Sequence, residues 1–85
     1  MSNWARWISQ NALRQHRIEQ ALSINRAASM LDVSHVTINH WEQDTVQPTV
    51  LNLGKVALML GISADILSAE WEQWRQQKPR EEVAS

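Results

Sequence analysis

The chain has no cysteine, only two glycines and two prolines, and no surplus of charge of one sign. Without cysteine there is neither a disulfide framework nor a thiolate metal site. Gly54 and Gly61 stand alone, so no glycine-rich phosphate loop is present. The longest uninterrupted apolar run, Val56 to Leu60, falls far below the ~18 residues a membrane span needs. The first residues, MSNWARWISQ, lack the apolar stretch of a secretory signal. These absences lead to the expectation of a cytoplasmic domain with no cofactor, no membrane contact and no evident small-molecule ligand.

What remains is ordinary for a globular chain: 85 residues, 44% hydrophobic and 20% charged. A domain of this size hides only about 60% of its unfolded surface, so core packing or self-association must supply its stability. The net charge of −1 conceals a small asymmetry. Residues 1–64 carry five Lys/Arg against four Asp/Glu, and residues 65–85 carry three against five. Many DNA-binding domains are far more basic.

The apolar periodicity is helical throughout. Ser9, Ser23, Ser34 and Ser63 are N-cap candidates, each ahead of apolar residues at helical spacing. They predict helices from Ser9 to Gln20, Ser23 to Met30, His35 to Gln43 and Ser63 to Lys78. A further helix from Pro48-Thr49 to Leu60 is closed by Gly61. The fold class is therefore all-α with five helices, and residues 79–85 read as a frayed tail. The domain occupies residues 9–70, with an N-terminal extension over 1–8 and a C-terminal helical extension and tail over 71–85.

The short helix after Ser23 cannot persist alone. Leu31-Asp32-Val33 joins it to the Ser34 cap, and so tight a joint makes two helices cross steeply, as in a helix-turn-helix. Ala27 and Ala28 permit the close approach, and Leu31, Val33, Ile38 and Trp41 fill the wedge. At about 100° per residue, Ile38 and Trp41 face inward together, while Val36, Asn39, His40 and Gln43 gather on the other side. That outward face is polar and free of Lys, Arg, Asp and Glu. It suits base edges, where amides and imidazoles donate and accept, and it is also compatible with plain solvation.

The segments RIEQALS (17–23), AASMLDVS (27–34), TINHWEQ (37–43) and PTVLNLGKVALMLGISADIL (48–67) together resemble the lambda-repressor-like (Cro-type) helix-turn-helix family. The resemblance runs from about Leu13 to Leu67. It implies a sequence-specific transcriptional regulator, a repressor acting as a homodimer on palindromic double-stranded DNA. It implies further that Arg17 pairs with Glu42 and is oriented toward a phosphate. Ser34, His35, Val36, Thr37, Asn39 and His40 match the family's DNA-facing positions, and Ser23 caps the helix whose N-terminus faces a phosphate. Gln43 joins them through its place on the outward face.

Three positions depart from the family pattern. Ile24 stands where glutamine is frequent, and Asp32 and Asp44 stand where glycine is common. Aspartate tolerates a left-handed backbone better than most residues, so the fold accommodates both. A helix-turn-helix used for protein contact is the rival reading, favoured by Ile24 and the near-neutral charge.

Two apolar stripes flank the resemblance: Trp4, Trp7 and Ile8, and then Leu67, Trp71 and Trp74. Either the terminal helices pack on each other within one chain, or Trp4, Trp7, Trp71 and Trp74 build a dimer interface. His35 and His40 lie about 140° apart around a helix, unsuited to sharing a metal ion. No spacing pairs a nucleophile with a base, so no catalysis is expected.

Overall fold

The computed structural model describes residues 2–79, and all of the regular structure among them is helical. Six helices follow one another: α1 (Ser2–Ser9), α2 (Ala12–Glu19), α3 (Ile24–Leu31), α4 (His35–Glu42), α5 (Val50–Leu60) and α6 (Ala64–Gln76). Most of the expected tail, residues 80–85, lies outside the described residues.

The caps explain most of the boundaries. Ser23, Ser34, Thr49 and Ser63 each turn a side-chain oxygen onto a backbone N–H of the helix they precede. Ser9 does not. It ends α1, where its hydroxyl donates to the Arg6 carbonyl at 2.7 Å. The cap of α2 is Asn11, whose Oδ1 accepts from Leu13 N at 2.9 Å and Arg14 N at 3.3 Å. The helix expected from Ser9 to Gln20 is thus corrected: the break at 10–11 makes the Trp4–Trp7–Ile8 stripe a helix of its own. Asparagine caps as well as serine does, so the same rule locates the start once the break is known.

Left-handed residues close α3 and α5 and follow α4. Gly61 closes α5 at φ +71°, and Ile62 N then donates to the Ala57 carbonyl at 3.1 Å. Asp32 does the same for α3 at φ +56°, and Asp44 follows α4 at φ +60°. Both aspartates occupy the left-handed backbone region that glycine enters most readily. Ala21, at φ +55°, is a third left-handed residue, and neither its type nor its neighbours signal it.

One apolar core serves all six helices. Trp7 of α1, Leu13 of α2, Ala28 and Leu31 of α3, Ile38 and Trp41 of α4, Val56 and Leu60 of α5, and Leu67, Trp71 and Trp74 of α6 form a single buried cluster. Val33 is half-buried against it. The boundaries drawn at residues 8 and 70 do not separate units, because α6 runs unbroken through 70–71 and α1 packs into the same cluster.

The tryptophans close the molecule end to end. The Trp7 and Trp74 rings stack with centroids 4.2 Å apart and planes within 7°. Trp7 Nε1 donates to the Trp74 carbonyl at 2.6 Å, and Trp74 Nε1 donates in return to the Trp7 carbonyl. Trp4 meets Trp7 edge-on at 5.7 Å, and the Lys78 ammonium lies 5.3 Å from the Trp7 ring centre. This corrects the interface expectation for Trp7, Trp71 and Trp74. All three are buried within one chain; Trp7 and Trp74 satisfy each other through paired indole donors and ring stacking, whereas Trp71 Nε1 is buried without a hydrogen-bond partner. Trp4 is half-buried.

Candidate nucleic-acid interface

The two caps of the helix-turn-helix start the site. Ser23 Oγ accepts from Arg26 N at 3.0 Å, and Ser34 Oγ accepts from Thr37 N at 3.2 Å. Between them Asp32 takes its left-handed turn, and Val33 N reaches back to the Ala28 carbonyl at 3.0 Å. Ala27 and Ala28 are buried on α3, whose most extensive packing is against α4. The N-termini of α3 and α4 therefore both begin at exposed serines.

With Ile38 and Trp41 buried beneath it, α4 turns its other side outward. His35, Val36 and Asn39 are exposed, and Thr37 and His40 are half-buried. Thr37 Oγ1 lies 3.1 Å from Ser34 Oγ, so the two hydroxyls are oriented together. The helix stops at Glu42, leaving Gln43 as its exposed C-cap rather than its last residue. Gln43 Nε2 donates to Asn39 Oδ1 at 3.3 Å, which fixes one edge of the Asn39 amide and leaves the other outward.

The inner end of α4 is held from three directions. Asn11, fully buried, donates its Nδ2 to the Trp41 carbonyl at 3.2 Å. Arg17 grips Glu42 with two bonds, Nε to Oε2 at 2.6 Å and Nη2 to Oε1 at 3.0 Å. Past the helix, the Asp44 carboxylate accepts from Arg75 Nε at 3.2 Å, with Lys78 Nζ 4.0 Å away. Four side chains from α2, α6 and the residues beside them thus hold the end of α4 and the turn that follows it.

Arg17 is only 7% exposed and Glu42 only 3%. The third Arg17 nitrogen, Nη1, donates to the Leu22 carbonyl at 2.8 Å. With one bond from each of its three nitrogens made inside the domain, Arg17 acts as a brace for Glu42. The α2 cation left half-exposed is Arg14, with Nη1 3.7 Å from Glu42 Oε1.

A helix-turn-helix family model matches residues 13–67, about two-thirds of the chain and the whole span from α2 into α6. The chain belongs to the lambda-repressor-like helix-turn-helix family. No curated protein and no solved structure matches it significantly. Within the matched span α3 and α4 form the helix-turn-helix pair; the family is one of DNA-binding transcriptional regulators. The lambda-repressor-like core of this chain is extended by α1 and by the last turns of α6, which close on each other through Trp7 and Trp74.

Reasoning from the sequence missed Asn11 and the Asp44–Arg75–Lys78 group. Asn11 carries a legible signal, since asparagine is a preferred cap, but Ser9 competes for the same role. Asp44 and Arg75 are 31 residues apart, and no local pattern links them. Among the described residues, no three His, Asp or Glu side chains converge as metal ligands, and no single helix is long and apolar enough to cross a membrane.

Proposed function

We propose that this chain is a sequence-specific transcriptional repressor, bound as a homodimer to a two-fold symmetric operator with the outward face of α4 in the major groove. It acts in the cytoplasm on double-stranded DNA. The observation that carries the reading is the contrast between the two ends of α4. Its C-terminal end is fixed by Asn11, Arg17 and Asp44. Its outward side offers Asn39, Gln43, His35, His40, Thr37 and Val36, none of them Lys, Arg, Asp or Glu. A rigid mount with free amides and imidazoles discriminates bases by hydrogen-bond pattern, and Val36 or the Thr37 methyl packs on a thymine methyl. Ser23 and Ser34, at open helix N-termini, receive the backbone phosphates.

A second reading, a helix-turn-helix used for protein contact, is favoured by the withdrawal of Arg17 from the surface and by the net charge of −1. Asn39→Ala separates the two. On the best site selected from genomic fragments it is expected to lose about 1–3 kcal/mol, with little change on random DNA. Fluorescence anisotropy on both DNAs measures the difference. Equal losses would assign Asn39 to the sugar-phosphate backbone, and no binding to either DNA by the wild type would favour protein contact.

A further inference from the structure

The outer face of α5 is apolar where a solvent-facing helix is ordinarily charged. At about 100° per residue, Leu51, Gly54, Lys55 and Leu58 share the side opposite the buried Val56, Ala57 and Leu60. Leu51 is 70% exposed, Leu58 83%, and Val50 at the helix start 89%. Beside Leu58 runs a groove of about 350 Å³ lined by Met30, Leu31, Asp32, Lys55, Leu58 and Met59. Met30, on its rim, is 51% exposed.

Gly54 sits in the middle of this face. A mid-helix glycine weakens a helix relative to alanine. A Cβ added at Gly54 would meet nothing within 4 Å in its own chain, so internal packing does not require the bare position. A second backbone crossing α5 at that point would use it.

The charges select what crosses there. The groove carries one acid, Asp32, and one base, Lys55, and neither joins an ion pair among the described residues. A two-fold axis sets a patch against itself, so that residue i meets j and j meets i. A patch with one charge of each sign complements itself under that operation, and a patch of a single sign repels itself. Leu58 and the groove beside it are likewise a knob and a socket side by side, which two copies can exchange. A lipid surface would call for several cations around the apolar face, and Lys55 is the one cation lining the groove.

We propose that this face of α5, with the adjoining groove, is where a second copy of this chain docks, Lys55 of one copy facing Asp32 of the other. The proposal deepens the homodimer reading above by giving it a surface, and no side chain on the outward face of α4 lines the groove. Recognition stays open in such a dimer.

Sedimentation equilibrium of the full chain without DNA tests it. The wild type is expected at twice the 9.8 kDa chain mass at micromolar concentration. Leu58→Glu, placed at a central interface position, is expected to raise the dissociation constant at least about 100-fold. Gly54→Gln is expected to break the dimer while leaving the melting temperature unchanged or higher, because glutamine is the better helix former. That second variant separates a lost interface from a lost fold. Lys55→Glu makes the groove wholly acidic and is expected to weaken association in proportion to falling salt. A wild type that stays at 9.8 kDa over the concentration range would overturn the proposal, and so would dimers that survive Leu58→Glu and Gly54→Gln. A stable dimer with no affinity for DNA would remove the DNA reading and leave this surface standing; a monomer that binds DNA would do the reverse.

Discussion

Glu42→Ala is expected to cost the fold about 3–5 kcal/mol, because it strands the buried Arg17 guanidinium without its counter-ion. Domains hold a total stability of about 5–15 kcal/mol, so a large share of the margin goes with one carboxylate. The loss follows from the geometry. Glu42 accepts both Arg17 bonds at 2.6 and 3.0 Å and is almost fully enclosed, so water cannot replace it. Arg17→Met combined with Glu42→Leu is expected to recover much of the loss, since an apolar pair of similar volume removes both desolvated charges. Recovery stops short of complete because the Leu22 carbonyl loses its Arg17 donor. Thermal melts of the single and double variants measure both effects. A single variant that melts with the wild type would show that the pair contributes nothing to the fold.

Trp74→Ala is expected to cost about 3–5 kcal/mol as well, the range for a large aromatic removed from a core. It removes the ring stacked on Trp7, the donor to the Trp7 carbonyl and the clamp between α1 and α6. Trp74→Phe keeps an aromatic ring but not the N–H, so the Trp7 carbonyl retains only its bond from Gln10 N, at a cost of about 0.5–1.5 kcal/mol. Urea titrations order the series wild type, Phe, Ala. Limited proteolysis adds a local readout: α1 holds to the domain through Trp7, Trp4 and Ile8, so cleavage near Gln10 is expected to rise first in the alanine variant. If Phe and Ala lose equal stability, the hydrogen bond dominates and the stacked ring contributes little.

The helix-turn-helix itself was legible because local chemistry and packing agree there. Ser23 and Ser34 are caps, Ala27 and Ala28 are small where two helices cross, and Ile38 and Trp41 alternate with the polar side of α4 at helical spacing. The positive φ of Asp32 and Asp44 was legible because aspartate accepts it; that of Ala21 was not, since alanine has no side chain to betray it. Ser9 misled because a serine ahead of apolar residues reads as a cap even when it closes the preceding helix. The tryptophan stripes were legible as stripes, but an i, i+3, i+4 pattern is the same whether its cover comes from its own chain or another. Reciprocal indole-to-carbonyl bonds across 67 residues resolve it, and no sequence spacing encodes them. Pairing of Arg17 with Glu42 followed from the family resemblance rather than from spacing, and only the structure reveals how deeply both side chains are enclosed.

If α4, braced at Glu42 and open at its outward side, reads DNA sequence as proposed, the purified chain picks out a site of its own. A selection of genomic fragments on the purified chain, followed by a competition between the most enriched fragment and random DNA at physiological salt, tests it most directly. One recurrent two-fold symmetric site is expected, held at least about 10³-fold more tightly than random DNA. Enrichment of no common site, or equal affinity for the best fragment and for random DNA, would contradict it.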